Sequence, residues 1–291
     1  MKRFLSPLRY PGGKARFSPF MASLIRSQPS RATYYAEPFA GGAGAALRLL
    51  ADEVVRAVLI NDLSPGIAAF WRSQFMHADE LADRIERAVV SIDEWHNQRD
   101  IFMNADDHDD LSLGYATFFL NRCNRSGILN ARPIGGLKQE GKWKIDARFN
   151  RKELADRVRY LGGFKRRVSV SQSDGRDFLS SIEYLGDRVF IYVDPPYLGQ
   201  GDDLYMNSLS AADHSKLSAQ LRQSACPWML TYDVDDKVTT ELYAGLRIAR
   251  FDIAHTAQRQ HVGRELLVFS SKLSVSSIQV LAGANAAWIA D

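Results

Sequence analysis

An acidic loop that follows a hydrophobic run carries the most specific chemistry of this sequence. Asp194, Pro195, Pro196 and Tyr197 follow the residues V-F-I-Y-V at positions 189–193. The Asp194 carboxylate and the Pro195 carbonyl are hydrogen-bond acceptors, and the Tyr197 ring can stack on a planar base. Such a set suits methylation of an exocyclic aromatic amine, because acceptors can draw its delocalised nitrogen toward an attacking geometry. A rigid surface turn would explain the same four residues without any chemistry.

The hydrophobic run before this loop predicts a strand that is buried on both faces, since it shows no polar alternation. Pro195 and Pro196 end the strand, because proline has no N–H for a ladder and restricts the residue before it. The loop therefore lies at the carboxyl edge of a predicted parallel sheet. Open α/β sheets bind their ligands at this edge.

A glycine-rich loop forms a second candidate site. Residues 37–44 read E-P-F-A-G-G-A-G and lie between a short predicted strand and a predicted helix over 45–51. Small residues let backbone N–H groups approach a ligand closely. Asp62 comes 21 residues after Gly41, at the end of a second hydrophobic run, where a carboxylate can bind ribose hydroxyls. The loop lacks the G-x-G-x-x-G spacing, which favours an adenosyl ligand over a dinucleotide.

A third motif, L-R-Y-P-G-G-K, occupies residues 8–14. Proline and two glycines predict a tight loop. The Tyr10 ring and the Lys14 cation flank this loop and suit a small ligand with an aromatic part and a carboxylate. A turn before a helix is the alternative interpretation.

Four motifs in this order, R-Y-P-G-G-K, E-P-F-A-G-G-A-G-A-A-L, N-D and D-P-P-Y, resemble those of the Dam-type (class alpha) DNA adenine N6-methyltransferases. The resemblance covers nearly the whole chain. It implies an α/β fold, a Rossmann-like seven-stranded methyltransferase sheet with an inserted, mostly helical target-recognition domain. The catalytic domain would comprise residues 1–64 and 166–291, and the insertion residues 65–165. The implied reaction transfers a methyl group from S-adenosylmethionine to the N6 amino group of a flipped adenine in duplex DNA.

The resemblance also implies roles for individual residues. Asp194, with Pro195 and Tyr197, would form the catalytic loop. The implied donor-binding residues are Tyr10, Lys14, Phe39, Gly41, Gly42, Gly44, Asp62, Asp174 and Asp194. The loop is one residue longer than the common F-x-G-x-G, which leaves open which glycine of positions 41–44 contacts the donor. Asp174 is preferred over Asp177 as the donor contact, and Asp177 is expected to cap the next helix.

Charge is unevenly distributed, although the net charge is only +3. Residues 77–113 contain eleven acidic side chains and three arginines, whereas residues 121–167 contain fourteen basic and four acidic side chains. Such a basic segment favours contact with a polyanion, unless the two segments pair with each other. Amides and guanidinium groups read purine edges or hold phosphates. The predicted DNA-binding residues are Asn121, Arg122, Asn124, Arg125 and Lys138.

Several elements position these groups. Hydrophobic spacing predicts one amphipathic helix across residues 81–95. After the acidic loop, residues 199–206 are expected to form a flexible lid over the flipped base. Ser210 and Asp213 form a capping-box pattern that opens a helix, on which His214 is expected to be exposed or packed rather than catalytic. Closing strands are predicted over 228–232, 246–251 and 265–269.

Composition limits the remaining functions. No run approaches the roughly 18 apolar residues of a membrane span, and the first residues lack the apolar core of a secretory signal. Cys123 and Cys226 give neither a disulfide framework nor a zinc spacing. We therefore expect a cytoplasmic, bacterial or phage-encoded enzyme of a restriction system, a phage or a housekeeping pathway, without a metal and as a monomer or weak dimer. A methyltransferase acting on RNA or a protein amide, and a DNA-binding regulator without catalysis, remain alternatives.

Overall fold

The computed structural model describes residues 5–10, 14–196, 209–255, 261–278 and 285–290. The chain divides into two compact units. The first unit comprises residues 1–13, 41–44 and 64–172, and the second comprises residues 14–40, 45–63 and 173–291. The predicted insertion over 65–165 lies in the first unit. The N-terminal residues and part of the glycine loop also belong to that unit, whereas the sequence placed them in the catalytic domain.

The strands of the structure are β1 (Tyr34–Glu37), β2 (Ala57–Asn61), β3 (Val168–Ser171), β4 (Val189–Val193), β5 (Trp228–Asp233), β6 (Arg247–His255), β7 (His261–Phe269) and β8 (Ala287–Ala290). The seven strands of the second unit form one sheet in the order β2-β1-β4-β5-β7-β6-β8. Strands β2, β1, β4 and β5 are parallel, and the last three are antiparallel to their neighbours. This sheet confirms the predicted Rossmann-like α/β class.

Strand β4 is the hydrophobic run that precedes the acidic loop. All five of its residues are buried, and it pairs with β1 on one side and β5 on the other. Ile191 and Val193 pack in a hydrophobic cluster with Phe178 and Leu217 from helices that cover the sheet. A central strand buried on both faces needs no polar alternation, as its sequence predicted.

The α-helices are α1 (Ser18–Ser27), α2 (Gly44–Ala51), α3 (Pro65–Met76), α4 (Ala78–Glu86), α5 (Ile92–Met103), α6 (Asp110–Cys123), α7 (Arg151–Gly162), α8 (Gly175–Ile182) and α9 (Ala211–Gln223). Helix α9 begins with the predicted capping box, in which Ser210 and Asp213 exchange side-chain and backbone hydrogen bonds. In the first unit, α3 packs on α6 and α7, α4 packs on α7, and α5 packs on α6.

The single helix predicted over residues 81–95 is wrong, because two helices occupy this stretch. Helix α4 ends at Glu86, and Val89 in the connection is 68% exposed. Ser91 then caps α5, accepting a hydrogen bond from the Glu94 N–H at 3.1 Å. A serine with this local bonding favours a new helix start over continuation of the previous helix.

Candidate active site

Three predicted site residues of the second unit lie at one edge of its sheet. Asp62 follows β2, Phe39 lies just after β1, and Asp194 follows β4. Since β2, β1 and β4 are adjacent and parallel, their carboxyl ends meet at the same edge. This is the edge where open α/β sheets bind ligands.

Asn61 holds the loops at this edge together. Its Nδ2 donates to the carbonyl oxygens of Pro38 and Ser173, each at 2.9 Å. Its Oδ1 accepts from the Ser173 N–H and hydroxyl, each at 3.0 Å. The amide is 1% exposed, so these bonds form away from water. The sequence interpretation assigned a role only to the neighbouring Asp62. The N-D pair at a strand end was the signal that could have revealed Asn61.

Glu37 is a second residue whose importance the sequence did not show. It is fully inside the protein, where its Oε1 accepts from the Tyr35 hydroxyl at 2.9 Å and from the Ala46 N–H at 3.1 Å. Burial raises the pKa of Glu37 to about 8 in spite of these two hydrogen bonds. Its carboxyl group therefore joins β1 to the first turn of α2.

Asp174 is the N-terminal cap of α8, the role predicted for Asp177. Its Oδ1 accepts from the Arg176 N–H at 2.8 Å and from Nε at 2.9 Å, and its Oδ2 accepts from Nη2 at 2.9 Å. These bonds lower the pKa of Asp174. Arg176 also donates to Asp213 at 2.8 Å. The prediction that Asp177 caps this helix is wrong, whereas a donor contact of Asp174 stays a prediction.

Phe39 lies against the first residue of the same helix. A Cβ atom placed on Gly175 would approach Phe39 Cζ to 2.6 Å. Real Cβ atoms essentially never approach another atom this closely, so the ring occupies the space that only glycine leaves open. This contact fixes Phe39 at the sheet edge.

The Asp194 carboxylate is oriented through one of its oxygens. Oδ1 accepts from Thr231 Oγ1 at 2.7 Å and lies 3.3 Å from Lys14 Nζ. Thr231 Oγ1 is also 2.7 Å from the Tyr192 hydroxyl. Because Thr231 gives its only proton to Asp194, it accepts from Tyr192. All polar contacts of the carboxylate within the described part of the chain go to Oδ1, and its side chain is 26% exposed. Oδ2 is thus available as an acceptor.

Lys14 links Asp194 to a second carboxylate on β7. Lys14 Nζ lies 2.9 Å from Glu265 Oε2, and these side chains are 5% and 1% exposed. Burial opposes the charged form of Lys14, but Asp194 and Glu265 together raise its pKa to about 12. Lys14 therefore remains a cation between two carboxylates. No sequence pattern indicated that Glu265 belongs to this cluster. A direct contact of Lys14 with the donor stays a prediction.

In the first unit, the Tyr10 ring covers two glycines of the glycine-rich loop. A Cβ atom on Gly41 would lie 2.6 Å from Tyr10 Cζ, and one on Gly42 would lie 2.8 Å from Tyr10 Cβ. Gly41 also has a φ of +46°, and its carbonyl accepts from Trp71 Nε1 at 2.8 Å. Gly44 is the half-buried first residue of α2. Packing against Tyr10 therefore requires glycine at positions 41 and 42, and their donor contacts stay predictions.

The same unit holds the backbone beside Tyr10 through Asn121. Asn121 Oδ1 accepts from the Arg9 N–H at 2.6 Å, and its Nδ2 donates to the carbonyls of Arg9 and Gly127 at 2.8 Å. Gly127 has a φ of +79°, and a Cβ atom there would lie 2.3 Å from the Arg9 carbonyl oxygen. Asn121 and Gly127 thus clamp the backbone of Arg9.

Asn124 is also used inside the protein. Its Oδ1 accepts from Trp95 Nε1 at 2.7 Å, and its Nδ2 donates to the carbonyls of Ile128 and Leu129 at 3.0 and 2.7 Å. Asn121 and Asn124 are both fully buried. Since their amides already bind protein groups, the structure contradicts the predicted DNA contacts of these two side chains and gives them a structural role.

The three basic candidates differ from the amides. Arg125 and Lys138 are exposed. Arg122 is half-buried and donates to the carbonyl oxygens of Arg148 at 2.8 Å and Pro7 at 3.3 Å. Contact of these three cations with DNA stays a prediction.

Comparison with known proteins identifies the family. The model of the D12 class N6 adenine-specific DNA methyltransferases matches residues 10–261. This chain belongs to that family. The match confirms the resemblance seen in the four sequence motifs. Among curated proteins, the Type II methyltransferase M.MjaIII of Methanocaldococcus jannaschii is 25% identical over 174 residues, which are 56% of this chain and 58% of that protein.

Two solved structures are similar to this D12 class family member at low level. The rRNA methyltransferase aviRa from Streptomyces viridochromogenes is 14% identical with a TM-score of 0.41, over 90% of this chain and 86% of that one. Protein LPL1258 from Legionella pneumophila str. Philadelphia 1 is 9% identical with a TM-score of 0.37, over 97% of each chain. The fold assignment rests on the sheet itself.

Parts of the acidic-loop motif and of the first motif lie outside the described residues. These parts are Tyr197, the lid over 199–206 and residues 11–13. Pro195 is buried. Of the exposed and packed alternatives for His214, the structure shows the packed one: its Nδ1 is bonded to the Tyr232 hydroxyl, and burial lowers its pKa.

The described ranges contain neither a membrane-spanning helix nor a cluster of metal ligands. No helix there is both long enough and apolar enough to cross a bilayer. No three side chains among the histidines, cysteines, aspartates and glutamates of these ranges come together as metal ligands. Cys123 and Cys226 are buried free thiols, and burial raises the pKa of Cys226 to about 11.

Proposed function

We propose that this chain methylates the N6 amino group of adenine in duplex DNA, with S-adenosylmethionine as the methyl donor. Membership of the D12 class family supports DNA adenine methylation. The observation that carries the proposal is the orientation of Asp194. Thr231 and Lys14 both contact its Oδ1, which leaves Oδ2 to accept a hydrogen bond from a substrate amine.

Asp194 and Pro195 would act on the amine together. Asp194 Oδ2 accepts one amino hydrogen and the Pro195 carbonyl accepts the other, which draws the nitrogen toward a tetrahedral geometry. Positive charge then develops on the nitrogen, and preoriented acceptors stabilise such charge most when they need no rearrangement. The methylated nitrogen afterwards loses a proton readily, so Asp194 need not be a strong base.

The charges around Asp194 favour this step. Lys14, Asp194 and Glu265 together carry one more negative than positive charge, with Lys14 and Glu265 buried. Lys14 stabilises the ionised carboxylate, while Glu265 prevents that lysine from cancelling the negative charge of the site. An excess negative charge in a partly buried site attracts an amine that becomes cationic.

The second unit contains residues that suit an adenosyl donor. Asp62 follows β2 at the same sheet edge as Asp194 and is half-buried, which suits a carboxylate that accepts from ribose hydroxyls. Phe39 offers a ring at this edge, and Asp174 offers a carboxylate at the start of α8. S-adenosylmethionine supplies the electrophilic methyl group when bound.

Duplex DNA implies that the target base leaves the stack. An enzyme cannot reach an exocyclic amine inside a base stack, so it extrudes the nucleotide into a pocket. We propose that Tyr197 stacks on the extruded adenine and that residues 199–206 cover it. The relative from Methanocaldococcus jannaschii is named a Type II methyltransferase, and we propose the modification step of a restriction system as one role for this chain.

A methyl-transfer assay tests the proposal. We expect tritium from labelled S-adenosylmethionine to appear in duplex DNA and, after digestion, in N6-methyladenine. Asp194→Ala should lower this transfer by at least 100-fold, about 2.7 kcal/mol of transition-state stabilisation, while DNA binding persists. Asp187→Ala is the matched control, because Asp187 is exposed before β4.

Other outcomes would contradict the proposal. Label only in RNA or only in protein would identify a different substrate. DNA binding without any transfer by the wild-type protein would favour the regulator. Equal transfer by Asp194→Ala and the control would remove Asp194 from catalysis.

A further inference from the structure

We infer that four arginines of the first unit, Arg9, Arg122, Arg148 and Arg157, form a binding site for one backbone phosphate of DNA. This inference deepens the proposed function, since it names where the duplex backbone is held. Of the four, the sequence singled out only Arg122.

Hydrogen bonds bring two of these guanidinium groups to one short backbone segment. Arg122 Nη1 donates to the Pro7 carbonyl at 3.3 Å, and Arg157 Nη1 donates to the Ser6 carbonyl at 2.9 Å. Arg9 lies two residues after Pro7 in the same segment. The groups therefore converge on residues 6–9 from helices α6 and α7.

Arg148 completes the cluster. Its carbonyl accepts from Arg122 Nε at 2.8 Å, and its side chain is exposed. Burial lowers the pKa of Arg9, and the charge of Arg148 lowers it further. Burial lowers the pKa of Arg122 to about 9, with added repulsion from Arg9 and then Arg157. These repulsions link Arg148 with Arg9, and Arg122 with both Arg9 and Arg157.

Carboxylates do not balance this charge. Glu153 pairs with Arg157 Nη2 at 2.6 Å, and its side chain is 50% exposed. Other arginine partners of the cluster are backbone carbonyls, such as that of Asn124, which accepts from Arg9 Nη1 at 3.3 Å. The cluster thus holds positive charge in excess, and its carbonyl partners carry no negative charge to neutralise it.

A buried donor in the cluster also lacks an acceptor. Arg157 Nε is buried and has no hydrogen-bond partner among the described residues. Buried polar groups are nearly always hydrogen-bonded, and such exceptions call for an explanation. Because Nε is buried, a phosphate would meet the cluster first at the exposed Arg148, whose planar guanidinium can bind it through two parallel N–H groups.

Arg159, also on α7, differs from the cluster because acidic side chains pair with its guanidinium group. Arg159 donates to Asp83 at 2.8 Å and to Glu86 at 2.9 Å. Here the basic and acidic segments of the sequence do pair, as the alternative interpretation of their charges allowed. Arg157 lies two residues away on the same helix and belongs to the unbalanced cluster. The excess charge is therefore local to this site.

The test measures how DNA binding depends on salt. A fluorescent duplex oligonucleotide is titrated with wild-type protein, Arg148→Gln, Arg157→Gln and the control Arg159→Gln over a series of KCl concentrations. We expect the slope of log affinity against log salt to fall by about 0.9 for each variant that loses the phosphate. Arg159→Gln should keep the wild-type slope. Arg148 is exposed, so its variant reports on the site even where Arg157→Gln folds poorly.

Separate outcomes decide the inference and the proposed function. An unchanged slope in Arg148→Gln overturns the site, as does an equal change in the Arg159→Gln control. A third outcome is that inorganic phosphate binds saturably to the wild-type protein and not to Arg148→Gln. If the salt slope of DNA binding is then the same in both proteins, the site binds a free anion, and the inference of a DNA phosphate is wrong. A wild-type protein that shows the expected slopes but transfers no methyl group would refute only the proposed function.

Discussion

Replacing Thr231 by valine should separate the positioning of Asp194 from the stability of the sheet. Thr231 is fully buried on β5, where it donates to Asp194 Oδ1 and accepts from the Tyr192 hydroxyl, each at 2.7 Å. Valine has a similar shape but no oxygen. The substitution therefore deletes two hydrogen bonds at once and leaves the backbone of the strand in place.

The two lost hydrogen bonds have different consequences. The Tyr192 hydroxyl loses its acceptor while it remains buried, which costs about 1–3 kcal/mol of folding free energy. Asp194 loses a charge-assisted bond that fixes its carboxylate plane. A misplacement of about 1 Å at a reacting group can cost roughly 100-fold in rate, so we expect a decrease of about 10- to 100-fold in methyl transfer.

A second substitution distinguishes these effects. Tyr192→Phe removes the hydroxyl that Thr231→Val leaves without an acceptor, so the double variant should regain part of the lost stability. It should not regain the rate, because Asp194 still lacks its donor. Thr231→Ser keeps the hydroxyl and should retain most of the rate.

Two measurements check this reasoning. Urea unfolding gives the free energy of folding, and single-turnover methyl transfer gives the rate of the chemical step. A Thr231→Val protein that transfers methyl groups at the wild-type rate would refute the positioning role. Recovery of the rate in the double variant would show that the loss came from packing rather than from Asp194.

Three further predictions concern buried charge and backbone shape. Because burial raises the pKa of Glu37 to about 8 from an ordinary 4.5, the native state keeps a proton that the unfolded state loses. Stability should therefore fall as the pH rises through this window, and Glu37→Gln should flatten that dependence in urea unfolding at several pH values. Gly127→Ala should destabilise the protein by about 1–3 kcal/mol in urea unfolding, because Gly127 has a φ of +79° and an added Cβ would clash with Arg9. Gly186→Ala should cost less in the same assay, because Gly186 has a φ of +54° but open space around it. Lys14→Gln removes the buried cation between two carboxylates, so urea unfolding should show a loss of roughly 3–5 kcal/mol, and an unchanged stability would contradict the cluster.

The sequence was most informative where local pattern decides the structure. A continuous hydrophobic run followed by Asp194 and two prolines predicted β4 and the position of the acidic loop. The capping box at Ser210 likewise predicted the start of α9. Such features depend on residues that are neighbours in the chain, and the structure reproduces them.

Long-range contacts were not visible in the sequence. Glu265 lies 251 residues from Lys14 along the chain, and only the pairing of strands brings it to the lysine. Thr231 looks like an ordinary strand residue until its neighbour Asp194 is known. The partners of the candidate catalytic carboxylate therefore had to come from the structure.

Residue type also misled where burial decides the role. Asn121 and Asn124 have the side chains that read purines, but both are fully buried. Amides with two donors and an acceptor serve equally well to brace a loop. Sequence spacing alone does not distinguish an amide that faces DNA from one that faces the backbone of Arg9.

The contacts around Arg9 connect the segment after α6 with the glycine-rich loop, both in the first unit. Asn121 and Gly127 grip the backbone of Arg9, and the next residue, Tyr10, packs on Gly41 and Gly42. A displacement of the segment after α6 by an incoming duplex would thus pull directly on the glycine-rich loop. Occupancy of either ligand should then alter the affinity for the other by the same factor, since linkage is reciprocal.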